Sequence, residues 1–206
     1  YNGNDEVGIL TETFRHLVSH LRVYISDLNS RAFSDALTGI KNKGAFEAVK
    51  EWLNDAIRLD GPDSRQEFAV VMFDCNGLKT INDEFGHERG DIYLRTAAGV
   101  ICRTFLHSPV FRMGGDEFLV LLQHEAYRER ETLLQVFDSS SEAVNAGAKN
   151  PWEKVNIAKG MAEFRPGVDT DVEQVVRRAD EAMYENKRQG KLTAAVSILN
   201  FEAIDS

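Results

Sequence analysis

Two adjacent glycines, Gly114 and Gly115, separate the mainly apolar residues 110–113 from the apolar residues 118–122, and Asp116 and Glu117 follow them directly. Glycine tolerates the positive φ that a tight connection between antiparallel strands demands, so this stretch predicts a hairpin over residues 110–122. Its two carboxylates then stand at the rim of a sheet, where backbone without side chains lets a ligand come close. A solvated hairpin with acidic residues beside its turn needs no ligand, so Gly114-Gly115-Asp116-Glu117-Phe118 takes its meaning from its context.

About forty residues upstream, residues 68–73 form a continuous apolar run of strand length that ends on Asp74, just before Cys75-Asn76-Gly77-Leu78-Lys79. A carboxylate leaving a buried strand, followed by a glycine-containing turn into a helix, suits a divalent ion held beside phosphates. Asp74 serves equally well as a cap for the next helix, and the residues alone leave both roles open.

With these motifs the chain resembles the GGDEF-domain diguanylate cyclases, whose signature pentapeptide stands unaltered at positions 114–118. Asp35-Ala36-Leu37-Thr38-Gly39-Ile40-Lys41-Asn42-Lys43 is similar to the family's opening Asp-x-Leu-Thr-Gly-Leu-x-Asn-Arg. Lys79, Asn82, Asp83, Gly86, His87, Gly90 and Asp91 match its Lys-x-x-Asn-Asp-x-x-Gly-His-x-x-Gly-Asp, and residues 179–187 look like its closing Ala-Asp-x-Ala-Met-Tyr-x-x-Lys. The four motifs occur in the family's order and cover nearly all of residues 34–200.

The resemblance implies an α+β fold, an α/β sandwich with a central, mainly antiparallel sheet flanked by helices, like the palm of nucleotidyl cyclases and polymerases. It implies the condensation of two GTP into cyclic di-GMP and two pyrophosphates across a homodimer. By family position, Asp74 and Glu117 hold Mg²⁺, with Mn²⁺ as a substitute, through their side chains, and Cys75 does so through its backbone carbonyl. Asp116 is then left as the metal-assisted general base, although a purely metal-binding role fits the same residue type. Asn82 and Asp91 match the guanine-reading pair, and a helix cap is the plain alternative for Asp91. Lys79, Lys187 and Lys191 match phosphate-holding bases, with the backbone of Asn76, Gly77 and Leu78 completing the cradle. Arg112 is in register with a family arginine beside the turn, in a role of orienting the hairpin. The alternative is a catalytically silent domain that senses GTP or dimerises.

Several positions depart from the family pattern. Asn76 replaces a common Asp, Leu78 a Phe, Lys191 an Arg, and Ala158 a Ser, and none of these removes a metal ligand. Many relatives carry an Arg-x-x-Asp product-binding site ending five residues before the pentapeptide, where this chain has Phe105 and Ser108. Without the guanidinium fork and its acidic companion, that inhibitory site is expected to be absent.

The net charge of −9 argues against broad adhesion to nucleic acid or anionic lipid, so a polyphosphate must be gathered by a local cluster of bases. Two cysteines, Cys75 and Cys102, suggest neither a zinc site nor a disulfide framework. Leu10, Phe14, Leu17, Leu21, Tyr24 and Leu28 recur after Val7 in steps of three and four, a stripe that either packs on the chain's own globular domain or, as the polar residues between its positions favour, forms the seam of a parallel two-chain coiled coil. Asp5-Glu6-Val7-Gly8-Ile9-Leu10, with Phe14, also resembles the tail of a HAMP signalling helix. The chain opens on Tyr1, and it reads as the cytoplasmic piece of a longer inner-membrane receptor whose sensor lies upstream. Residues 1–33 are thus read as a signalling stalk, 34–200 as the cyclase-like domain, and 201–206 as a C-terminal tail.

Periodicity past the stalk predicts helices at 43–59, 77–85, 91–106, 126–146 and 171–189, a strand at 68–74, the hairpin at 110–122 and a strand at 154–161.

Overall fold

The computed structural model describes residues 11–12, 14–20, 32–61 and 66–202, and the chain divides into two compact units, Tyr1–Ser34 and Asp35–Ser206. In the first unit residues 14–20 are helical (α1), with Phe14 and Leu17 of the expected seam exposed. Leu10, Leu21, Tyr24, Leu28 and the HAMP-like residues 5–10 lie outside the described residues.

In the second unit a short strand, β1 (Lys41–Asn42), leads into α2 (Lys43–Asp60), which starts where the Asn42 side chain accepts from the Ala45 amide. Next come β2 (Phe68–Cys75), α3 (Leu78–Phe85) and α4 (His87–Thr104). The predicted hairpin is β3 (Val110–Gly114) and β4 (Glu117–Gln123). It is followed by α5 (His124–Arg128), α6 (Arg130–Gly147), a 3-10 turn at Pro151–Glu153, β5 (Ile157–Glu163) and α7 (Val172–Glu202).

The strands form one sheet in the order β1-β3-β4-β2-β5, in which only β1–β3 is parallel, so the sheet is mainly antiparallel as expected. The interior strand β2, flanked by β4 and β5, is buried along its whole length because helices cover both faces. Alternate side chains divide between two cores. Phe68, Val70 and Met72 join Leu119, Leu121, Val175, Ala179 and Met183 beneath α2 and α7. Val71, Phe73 and Cys75 join Tyr93, Ile101, Phe118, Val120 and Phe137 beneath α4 and α6. This two-sided burial explains why β2 reads as a run rather than an alternation.

Four boundaries move from expectation. Gly86, at φ 86°, ends α3 and starts α4 at once, so α4 begins four residues early and Asp91 lies inside the helix rather than capping it. The predicted helix at 126–146 is two helices with Glu129 between them. β5 lies three residues later at its start than the predicted 154–161, because Val155 exchanges both backbone bonds with the Asn145 side chain before the ladder begins. The last helix runs on from residue 189 to Glu202 and so crosses the predicted boundary at 200.

α7 approaches β5 unusually closely. A Cβ on Gly160 would stand 2.0 Å from the Met183 nitrogen and 2.4 Å from the Ala179 oxygen, so only glycine allows this contact.

Candidate active site

The registers of three strands converge on one point of the sheet rim. Asp74 is paired with Glu117 on β4 and with Ala158 on β5, and the Cys75 amide donates to the Asp116 carbonyl at 2.9 Å. The hairpin therefore delivers Asp116 and Glu117 beside the end of β2, as the sequence predicts. Its turn uses the two glycines: Gly114 sits at φ 152° and Gly115 at φ 50°, with a register irregularity between Arg112 and Gly114.

Arg112 holds this turn in place. Its Nε and Nη2 donate to the Gly115 carbonyl at 3.1 and 2.7 Å, and its Nη1 reaches both oxygens of Asp35 at 3.0 and 3.2 Å. Asp35 also accepts from the Thr38 amide and hydroxyl. Burial works to raise the Asp35 pKa, yet the hydrogen bonds from Thr38 and Arg112 together hold it below the usual carboxylate range. The expected orienting role of Arg112 is thus visible as a clamp from the chain's opening motif to the turn.

Charge at the rim is unbalanced toward the negative. Asp74 is buried, and Lys187 Nζ from α7 donates to its Oδ1 at 2.7 Å. The Glu117 carboxyl is crowded: desolvation, then the charges of Asp116, Asp180 and Asp74, raise its pKa, and Lys187 only partly offsets them. An open groove beside the turn is lined by Met72, Glu117, Val176, Arg177 and Asp180. No group of three or more His, Cys, Asp or Glu among the described residues forms a ready metal cluster. The donor chemistry still fits a hard divalent cation, because Asp74 and Glu117 are paired across the β2–β4 ladder and the repulsion that Glu117 feels from Asp116, Asp180 and Asp74 favours added positive charge. The Cys75 thiol points into the apolar core, and burial raises its pKa well above the usual thiol range. The thiol is therefore no ligand for a hard cation, which leaves the backbone carbonyl for the role expected of Cys75.

Beyond β2, Gly77 takes the left-handed conformation at φ 80° and starts α3. The first amides of a helix have no partner within it, so those at Leu78 and Lys79 point out of the α3 N-terminus. The Asn76 amide is already committed to the Asn156 carbonyl at 2.8 Å. Lys79 is exposed on α3, and the side chain of Lys191 lies outside the described residues. Asn82 faces the α3–α4 junction: a Cβ on Gly90 would stand 1.9 Å from Asn82 Oδ1, so the Asn82 amide lies against the residue preceding Asp91 in the first turns of α4.

Residues 32–193 match the family described as diguanylate cyclase, GGDEF domain. The chain belongs to this family. It is 31% identical over 209 residues to the diguanylate cyclase TpbB of Pseudomonas aeruginosa, covering 96% of this chain and 46% of that protein. It is 28% identical over 185 residues to the diguanylate cyclase DgcZ of Escherichia coli, covering 87% of this chain and 57% of the relative. The chain thus spans only about half the length of these two relatives. Among solved structures, the coiled coil and GGDEF domain of DgcB from Caulobacter crescentus, in complex with c-di-GMP, matches with a TM-score of 0.69 at 26% identity. That match covers 90% of this chain and 95% of the other.

Other residues that build this GGDEF site carried no functional signal in the sequence. The Tyr93 hydroxyl donates to the Asn76 carbonyl at 2.6 Å and accepts from the Asn156 amide at 3.2 Å, pinning the turn between β2 and α3. A tyrosine on the apolar face of a helix reads as core, and only the fold brings its hydroxyl to the turn. Phe105, on the short stretch between α4 and β3, is buried against Phe73 and Phe137.

Proposed function

We propose that this chain is a diguanylate cyclase, one half of a homodimer that condenses two GTP into cyclic di-GMP and two pyrophosphates. The observation that carries the reading is the in-register meeting of Asp74 and Glu117, with Asp116 at the tip of the same hairpin and Lys187 on Asp74.

Asp74 and Glu117 side chains and the Cys75 carbonyl would hold the divalent ions, Mg²⁺ or Mn²⁺, whose chemistry is charge neutralisation on the triphosphate. Lys79, Lys187 and Lys191 gather the β and γ phosphates together with the Gly77 and Leu78 amides at the α3 N-terminus. The Asp91 carboxylate accepts from the ring N1 hydrogen and exocyclic amine of guanine, and Asn82 completes the pair. Asp116, whose backbone is fixed by the Cys75 amide, takes the proton of the 3′-hydroxyl as that oxygen bonds to the α-phosphorus of the facing GTP and pyrophosphate leaves. A second such transfer closes the ring.

One site holds one GTP, so two chains face each other, and the heptad seam through Phe14 and Leu17 is the device that joins them. Dimer packing then sets the population of productive pairs, under an upstream sensor of a membrane receptor whose cytoplasmic output this domain is. The buried Phe105 and the Ser108 beside it replace the usual inhibitory site, so product feedback through that site is lost.

The test is incubation with GTP and Mg²⁺ at several protein concentrations, with products resolved by mass, beside Asp116→Ala and Glu117→Ala. Cyclic di-GMP that rises more than linearly with protein and vanishes in both variants supports the reading. GTP binding without product overturns it in favour of a silent GTP-sensing domain.

A further inference from the structure

The helix that begins the phosphate cradle is poorly anchored by burial. α3 has no fully buried residue, with only Leu78 and Ile81 packed partly against the core. Both of its ends are instead tied to one segment, residues 150–156. At the N-terminal end, the Asn156 carbonyl accepts from the Asn76 amide at 2.8 Å, and the two asparagine side chains bond at 3.1 Å. At the C-terminal end, the Trp152 ring packs on Phe85 with centroids 5.1 Å apart, and the Arg89 guanidinium lies 4.8 Å over the same ring. Phe85 is the last residue of α3 and Arg89 lies in the first turn of α4, so Trp152 grips both sides of the Gly86 bend.

The segment is itself braced. Glu153 accepts from the Lys149 and Asn150 amides at 2.8 and 3.1 Å, and its other oxygen takes the Asn150 side chain, which closes the 3-10 turn that presents Trp152. Asn145 of α6 bonds both backbone groups of Val155 at 2.7 and 2.8 Å. The strap is therefore fixed to α6 on one side and spans α3 on the other.

We propose that residues 150–156 are a strap that sets the α3–α4 angle, and that Trp152 is a positioning residue for nucleotide specificity. It touches no substrate. By fixing the bend between Asn82 and Asp91, it holds the two halves of the guanine-reading pair at one spacing, while the phosphate lysines on α7 do not depend on it. The inference rests on the GTP-binding reading above.

The experiment uses the full chain, with Mg²⁺ in excess, and three probes by calorimetry: 3′-deoxy-GTP, which lacks the nucleophile, 3′-deoxy-ATP, and inorganic tripolyphosphate. Trp152→Ala is expected to weaken 3′-deoxy-GTP about tenfold, the scale of an aromatic contact plus a cation–π contact, and to narrow the preference over 3′-deoxy-ATP. Tripolyphosphate binding weakens less than 3′-deoxy-GTP binding, because Lys187 and Lys191 on α7 keep their hold while only Lys79 and the α3 amides shift, and Trp152→Phe recovers most of the loss. Hydrogen exchange of the α3 amides accelerates in Trp152→Ala without nucleotide. An unchanged base preference, unchanged α3 exchange, or an equal loss for tripolyphosphate overturns the proposal. If Trp152→Ala does not fold, Arg89→Ala, which leaves the ring packed on Phe85, is read by the same criteria. A wild-type chain with no preference for guanine defeats the GTP reading instead, and α3 exchange alone then decides whether the strap exists.

Discussion

Lys187 Nζ donates to Asp74 Oδ1 over 2.7 Å, joining the middle of α7 to the end of β2. The ammonium compensates a carboxylate that is otherwise buried among like charges. Lys187→Ala is expected to cost about 1–3 kcal/mol of stability, the range for stranding one partner of a partly buried pair. If Lys187 also holds phosphate, as proposed, the same change raises the KM for GTP roughly ten- to a hundredfold. Thermal melting and steady-state kinetics check the two effects. An unchanged KM would remove Lys187 from the phosphate site.

Glu117 gives a pH dependence of definite sign. Its folded pKa is raised, by desolvation first and then by Asp116, Asp180 and Asp74, above the ordinary 4.5. Between that ordinary value and the raised one the folded state holds more protons than the unfolded state, so stability falls as pH rises through this window. Glu117→Gln removes the penalty. The variant should melt higher than wild type at neutral pH, with the gain disappearing below the ordinary glutamate range, and it should lose cyclase activity. Melting curves across pH in the absence of divalent ions test this, and a variant that melts lower at neutral pH would contradict it.

The hairpin and β2 are legible in the sequence because each signal is local. Gly114-Gly115 fixes a turn, and the run at 68–73 is apolar on both faces because helices cover both. β1 is only two residues long and leaves no such signature. The bounds of β5 are poorly marked in the sequence because its inward residues, Ala158, Gly160 and Ala162, are small where α7 presses close, which weakens the apolar pattern of a strand. Asp74, Asp116 and Glu117 could be named from their motifs, and their meeting at one rim followed from strand register. The Tyr93, Asn156 and Trp152 contacts could not be read, because each joins segments far apart in sequence through a single side chain.

The Arg112 clamp separates charge from geometry. Arg112→Lys keeps the positive charge but cannot bond the Gly115 carbonyl and both Asp35 oxygens as a planar fork does. The lysine variant should therefore behave like Arg112→Ala, with kcat down about tenfold or more for a turn displaced from its working geometry. Kinetics of the two variants side by side provide the measurement. Full activity in Arg112→Lys would mean that charge alone orients the turn.

Two glycines should respond to alanine in opposite ways. At Gly160 the added methyl meets backbone of α7, at 2.0 Å from the Met183 nitrogen, and backbone cannot step aside. α7 must lift from β5, so Gly160→Ala should lose at least about 3 kcal/mol, at the upper end for overpacking, and Lys187 is carried away from Asp74. At Gly90 the methyl meets the Asn82 side chain at 1.9 Å, and a side chain can rotate. If Asn82 reads the base as proposed, Gly90→Ala should melt within a few degrees of wild type yet bind GTP at least about tenfold more weakly, because relief of the clash turns the Asn82 side chain away. Melting temperature and GTP affinity measured on both variants distinguish the two mechanisms. A Gly90→Ala chain that binds GTP normally would show that Asn82 reads the base from some other rotamer or not at all.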